Sequence, residues 1–107
     1  MNNEKLMDAL DALIGQLKET EEFIKYKDTF SKVVNDEHAM ECIASIRELS
    51  MRVQDMSEDE YDRESENISA RMEDLCADSR VSDFITAEVE FSRLYQYITD
   101  SIVSALD

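Results

Sequence analysis

Apolar side chains recur every three or four residues along almost the whole chain, which is the spacing of an amphipathic α-helix. This pattern predicts five helices, over residues 3–19, 21–34, 37–56, 58–76 and 80–106. The apolar stripe of the first helix is Leu6, Leu10, Leu13 and Leu17. The stripe of the third is Ala39, Cys42, Ile46, Leu49, Val53 and Met56. Each helix is therefore expected to bury one face.

Residues with a side-chain oxygen stand where the helices are expected to begin. Thr20 and Asp36 precede the second and third helices, and Ser57 precedes the fourth with a glutamate three residues later, which makes a capping box. Asp78 or Ser79 caps the last helix. Because neither Gly nor Pro separates the third helix from the fourth, one bent helix running through Ser57 is an open alternative.

Composition points to the same fold class. The chain has one Gly and no Pro, so it can hardly build the positive-φ turns on which β-hairpins depend. The joints are short, and short joints favour antiparallel neighbours. We therefore expect an all-α protein, with about five amphipathic helices in an antiparallel bundle that assembles as a dimer. Residues 1–107 are expected to form a single helical domain.

The charge balance narrows the range of partners. The net charge is −15, whereas nucleic acids are bound through clustered Lys and Arg, so direct DNA or RNA binding is not expected. Residues 1–10 lack the basic start and apolar run of a signal peptide. No stretch approaches the roughly 18 apolar residues of a membrane span. We expect a cytoplasmic protein that does not bind membranes.

Acidic residues are numerous, but they do not form a recognisable catalytic motif. Helical metal-dependent hydrolases hold magnesium with paired Glu-x-x-Glu and Glu-x-x-Asp helices. Glu19 and Glu22 have the first spacing but straddle a helix start, and no second pair lies in mid-helix. The favoured interpretation is a solvated acidic face. A hydrolase using acids such as Glu19, Glu22 and Glu41 is the alternative.

Cys42 and Cys76 lie on or beside apolar stripes and are interpreted as small reduced core residues. Two thiolates cannot by themselves supply the four ligands of an iron–sulfur cluster. A redox role, or a cluster shared between subunits, is a further alternative. We expect no cofactor and no metal.

Two eight-residue stretches echo each other. "FIKYKDTF" covers residues 23–30 and "FITAEVEF" covers residues 84–91, and each opens with Phe-Ile and closes with Phe. A spacing of seven puts both phenylalanines of a stretch on one helical face. The simplest interpretation is that each stretch supplies a pair of core anchors.

These stretches and their flanks resemble the YlbF/YmcA family of small helical bacterial regulators. The first unit of the family pattern is matched by Phe23, Tyr26, Asp36 and Ala39, and Thr20 stands for its serine. The second unit is matched by Asp78, Val81, Phe84, Ala87, Glu88, Phe91 and Leu94. Thr29 replaces an alanine, and Glu37 and Ser79 stand where proline is usual. The resemblance covers residues 5–103.

The resemblance implies an all-helical protein that self-associates and has no known catalytic centre. Members of the family act with protein partners in mRNA processing and influence competence, sporulation and biofilm formation. We therefore expect a non-enzymatic regulator or adaptor that uses helix-face contacts, as a homodimer or another homo-oligomer. The residues expected to serve as interaction or core anchors are Phe23, Tyr26, Phe30, Val81, Phe84, Ala87, Glu88, Phe91, Leu94 and Tyr95.

Glu88 is the one charged residue among these anchors. It interrupts the apolar face of the last helix between Phe84 and Phe91. Two interpretations are open: the carboxylate is paired at a contact between subunits, or it turns outward at the edge of the stripe.

Overall fold

The computed structural model describes residues 3–107, so the first two residues of the expected domain lie outside the described range. Within it the chain forms five helices and no strand. They are α1 (Glu4–Lys18), α2 (Glu21–Ser31), α3 (Glu37–Asp55), α4 (Glu58–Leu75) and α5 (Ser79–Leu106). The expected all-α class is confirmed. Because α3 ends before α4 begins, these are two helices and not one bent helix.

Four helices begin at a side chain that accepts a hydrogen bond from the first turn. Thr20 Oγ1 accepts from the backbone N–H of Phe23, and Asp36 Oδ1 accepts from that of Ala39. Ser57 Oγ accepts from the N–H of Glu60 at 3.2 Å. At the start of α5 the cap is Asp78 and not Ser79. Each cap satisfies one of the N–H groups that a helix start leaves without a partner.

The second helix is shorter than the sequence pattern predicts, because it ends at Ser31 and not near residue 34. Its last turn tightens: the Lys32 N–H donates to Thr29 O and the Val33 N–H donates to Phe30 O, both three residues back. This turn places Val33 in the core, where its side chain is fully buried. Val33 belongs to the apolar pattern, but it acts from the turn after α2.

The hydrophobic core lies where α3, the end of α4 and the first half of α5 meet. The buried side chains that form it are Val33, Ala39, Ile43, Ile46, Leu49, Leu75, Val81 and Phe84. The predicted stripe of α3 needs one correction. Ile43 is buried and Cys42 is only half-buried, because the side of α3 that faces α4 and α5 is centred on Ala39, Ile43 and Ile46.

α1 stands apart from this core. None of its side chains is buried, and its one substantial packing contact within the described chain is with α2. The molecule is accordingly elongated, at 54 × 35 × 23 Å. Its radius of gyration is 18.0 Å, against about 13 Å for a compact chain of this length.

No helix between residues 3 and 107 is both long enough and apolar enough to cross a membrane.

Candidate interaction surface

The two stretches that echo each other in sequence pack against each other in the structure. α2 runs antiparallel to the first half of α5, so the start of one stretch meets the end of the other. The ring centroids of Phe23 and Phe91 are 5.6 Å apart, and those of Phe30 and Phe84 are 5.7 Å apart. Tyr26 lies between, 5.6 Å from Phe84 and 5.4 Å from Phe91. We call these five rings the aromatic row.

The aromatic row explains why the echo exists. Tilted and offset ring pairs at these distances stabilise by about 0.5–1.5 kcal/mol each beyond the area they bury. Tyr26 stacks on Phe91 with an interplanar angle of 16°, whereas the three other pairs are tilted. Because each stretch carries rings seven residues apart, the antiparallel pair brings all five into one continuous contact.

Thr29 and Ala87 show how α2 and α5 come close beside the row. Both residues line one shallow groove between the helices. The Thr29 hydroxyl donates to the carbonyl oxygens of Lys25 and Tyr26, at 2.7 and 3.1 Å. It is therefore satisfied by its own helix and needs no partner on α5. This is why threonine fits where the family pattern has alanine.

Glu88 has a partner within its own chain. Its carboxylate forms an ion pair with the Arg47 guanidinium on α3, and its side chain is about one-quarter exposed. Neither sequence interpretation anticipated this partner, because it is 41 residues away along the chain. The pair fastens α3 to α5 on the side of α5 that also carries Phe91.

The expected anchors fall into three groups. Val81, Phe84 and Ala87 are buried. Tyr95 is 58% exposed. The half-buried anchors are Phe23, Tyr26, Phe30, Glu88, Phe91 and Leu94. The anchors thus form one band along α2 and α5. The band ends at Tyr95, which lies outside the core.

An arginine links the starts of α3 and α5. The Arg80 Nη2 group lies 2.7 Å from Asp36 Oδ2 and 2.6 Å from Asp78 Oδ2. Its Nη1 group donates to Lys32 O at 3.3 Å. The two aspartates are the N-caps of the two helices. One guanidinium therefore ties the joint before α3 to the joint before α5.

Hydrogen bonding lowers the pKa of both aspartates below the ordinary value of 3.8. For Asp36 the largest cause is the backbone N–H of Ala39, followed by Arg80. For Asp78 it is the Arg80 side chain, followed by the Arg80 backbone N–H. The pKa of Arg80 is raised by the same two carboxylates. Because the carboxylates are about one-third exposed, solvent weakens the effect.

These shifts predict a loss of stability in acid. Since each folded pKa lies below the unfolded value, the unfolded chain takes up protons first as the pH falls. The stabilisation is fully present above about pH 4 and is lost as the pH falls through the folded pKa. Urea unfolding at a series of pH values should show a shallower acid slope for Asp36→Asn/Asp78→Asn than for the wild type. Glu66→Gln, which removes an exposed acid on α4, is the control for the loss of a carboxylate as such.

The acids of the hydrolase alternative are not gathered into a site. Glu19 follows α1, Glu22 lies in the first turn of α2 and Glu41 lies on α3. Among residues 3–107, no three His, Cys, Asp or Glu side chains stand close enough to hold a metal ion.

Cys42 and Cys76 are free and half-buried, and the Cys42 sulfur lies 3.7 Å from His38 Nε2.

The structure leaves a second apolar surface open, and Tyr95 is the only expected anchor that belongs to it. On α1 it consists of Leu6, Leu10 and Leu13, and on the second half of α5 of Tyr95, Ile102 and Leu106, all of them exposed. We call these six residues the open surface. The sequence signal was present, because Leu6, Leu10 and Leu13 form the predicted stripe of the first helix. What the sequence pattern could not show is that the chain leaves this stripe uncovered.

Comparison with known proteins identifies the family. Residues 6–107 match the family model described as control of competence regulator ComK, YlbF/YmcA. The chain belongs to the YlbF/YmcA family. The family positions Asp36 and Asp78 are the two helix caps joined by Arg80. Glu37 and Ser79, which replace the usual prolines, are the first residues of α3 and α5, where proline is favoured because the N–H needs no helical partner.

Curated relatives match over nearly the whole length. UPF0342 protein SH1117 of Staphylococcus haemolyticus is 28% identical over 105 residues, covering 95% of this chain and 92% of the relative. A UPF0342 protein of Staphylococcus epidermidis strain ATCC 12228 has the same identity and coverage. These names state no activity. No solved structure matches the chain.

Proposed function

We propose that this chain is a non-enzymatic regulatory protein of the cytoplasm that acts through helix-face contacts with other proteins and as a homodimer. The observation that carries the proposal is the open surface. A soluble monomer rarely exposes extended apolar faces unless a partner covers them. The description of the family as control of the competence regulator ComK supports a regulatory role.

The processes in which the regulator acts are part of the proposal. The family likeness favours control of mRNA processing, with effects on competence, sporulation or biofilm formation. The net charge of −15 favours an indirect effect on RNA, through a protein partner, because clustered basic residues are what bind a phosphate backbone. The chain would then position or regulate a processing enzyme.

The test of a regulatory role is gene deletion in the native host, followed by sequencing of transcript ends. We expect deletion to change the abundance or processing of a set of transcripts. The wild type and Glu22→Ala should both restore the original pattern. An unchanged transcript pattern after deletion would contradict the proposal. Rescue by the wild type but not by folded Glu22→Ala would favour the hydrolase alternative.

The test of contact with other proteins is crosslinking in living cells, followed by purification of a tagged chain. The variant Tyr95→Arg places a charge at the exposed end of the anchor band. Tyr97→Arg places the same charge on the same helix about 200° away, and Tyr97 is also exposed. We expect Tyr95→Arg to lose crosslinked proteins, other than copies of the chain itself, that Tyr97→Arg retains. Equal recovery with both variants would argue against this surface.

A further inference from the structure

One face of α5 is buried in its first half and open in its second. Phe84 is buried on this face, and Tyr95 and Ile102 continue it at helical spacing but are exposed. The helix α5 has 28 residues, and α2, with 11 residues, covers only its first half. The second half, residues 92–106, therefore carries a core-type face without a covering helix.

α1 has the dimensions of the missing cover. It is 15 residues long, or about 22 Å, and residues 92–106 span the same length. Its stripe of Leu6, Leu10 and Leu13 is exposed. Within its own chain α1 makes no substantial packing contact with α5. Each copy thus presents one apolar helix and one apolar half-helix of equal length.

The distribution of charge favours a second copy over a partner of a different kind. Residues 92–106 carry one basic and one acidic side chain, Arg93 and Asp100. By contrast, α4 carries eight acidic and two basic side chains. A basic partner would be drawn to the acidic faces. Two copies, each of charge −15, can approach closely where the charge is lowest, which is at α5's second half.

The exposed area is sufficient for a stable dimer. The chain exposes 8401 Å², whereas a compact monomer of its mass exposes about 6,100 Å². The excess of roughly 2,300 Å² is well above the ~800 Å² that each partner buries in an interface of standard size. The elongated chain therefore exposes enough surface beyond that of a compact monomer to form an interface of standard size.

We propose that α1 of one copy packs against residues 92–106 of α5 in a second copy, and that the second copy returns the same contact. The two-fold dimer that results buries both open surfaces in a layer of four helices. Such an interface is self-complementary, so each copy covers both parts of the other copy's open surface. The inference rests on the proposed homodimer and names the surface that forms it. Its test uses the purified chain, so it can fail while the regulatory effect in cells remains.

The experiment is analytical ultracentrifugation of the full chain and four variants, with circular dichroism as a check on folding. Leu13→Glu and Ile102→Glu each place a charge in the open surface. The matched controls Gly15→Glu and Ser104→Glu lie two residues on, about 200° around the same helices. A Cβ at position 15 meets nothing within 4 Å, so that control fits without strain.

We expect the wild type and both controls to sediment at twice 12.4 kDa. Each surface variant should raise the dimer dissociation constant by at least about 100-fold. The two-fold symmetry places the new carboxylate at two sites in the interface, and each is buried without a partner. A monomeric wild type at tens of micromolar overturns the proposal. A dimer that Leu13→Glu and Ile102→Glu leave intact also overturns it.

Crosslinking distinguishes α1 packed against α5 of a second copy from α1 packed against α5 of its own chain. Thiols are introduced by Leu13→Cys and Ile102→Cys in one chain that also carries Cys42→Ser and Cys76→Ser, and a flexible bis-maleimide joins them. The proposal expects a covalent dimer on a denaturing gel. A product that runs as a linked monomer shows closure within the chain and overturns the proposal.

Discussion

Replacing Phe84 by alanine is expected to lower the free energy of unfolding by about 3–5 kcal/mol. Phe84 is 1% exposed and is one of the largest fully buried side chains in the described chain. Its ring contacts both Tyr26 and Phe30 of α2, so its removal leaves a cavity where the aromatic row meets the core. A small domain has a free energy of unfolding of roughly 5–15 kcal/mol, so the variant should keep only a small part of its stability.

The measurement is urea unfolding followed by far-UV circular dichroism. Tyr97→Ala is the matched control, because it removes a ring from the same helix at a position that is 72% exposed. That change should stay within about 0.5 kcal/mol of the wild type. If both variants shift the midpoint equally, the aromatic row does not hold α2 on α5. The interpretation of the repeated stretches would then be wrong.

Phe91→Ala extends the same argument along the row. Phe91 is half-buried and contacts Phe23 and Tyr26. Phe91 is more exposed than Phe84, which is 1% exposed, so we expect a smaller loss than for Phe84→Ala. The two losses differ because the rings lie at different places in the aromatic row. Phe84 packs in the core, whereas Phe91 lies next to the exposed second half of α5.

Features that depend on neighbouring residues could be predicted from the sequence. The number of helices followed from apolar spacing, and three helix starts followed from Thr20, Asp36 and Ser57, because a cap needs only an oxygen and an N–H two or three residues away. Family membership followed from the same local pattern. The single-domain expectation and the roles of the ten anchors stay predictions.

Features that depend on distant residues could not be predicted in this way. Arg80 meets Asp36 across 44 residues, and Glu88 meets Arg47 across 41 residues. Neither pairing leaves a mark in the spacing of apolar positions. The same limit applies to α1: its stripe marks a face to be buried, but the pattern does not say whether the covering helix belongs to the same chain.

The sequence pattern and the structure disagree about which residue of α3 is buried. They therefore predict opposite orders for the loss of stability when Cys42 or Ile43 is replaced. The predicted stripe places Cys42 inside and omits Ile43, although apolar residues three or four apart can be traced from Ala39 to Ile46 through either residue. The structure leaves Ile43 1% exposed and Cys42 half-buried. Ile43 lies in the cluster that includes Val81 and Phe84. The two residues are adjacent, so the choice between them fixes the rotation of α3 about its axis.

Ile43→Ala is expected to lower the free energy of unfolding by about 2–5 kcal/mol, which is usual for the loss of a buried isoleucine. Cys42→Ala removes a single half-buried sulfur and should cost less than about 1 kcal/mol. Ile43→Val, which deletes one methylene group, should fall between them at about 0.5–1.5 kcal/mol. Urea unfolding of the three variants gives the order directly. If Cys42→Ala proves the most costly change, α3 faces the core as the sequence pattern predicts, and the assignment of Ile43 to the core is wrong.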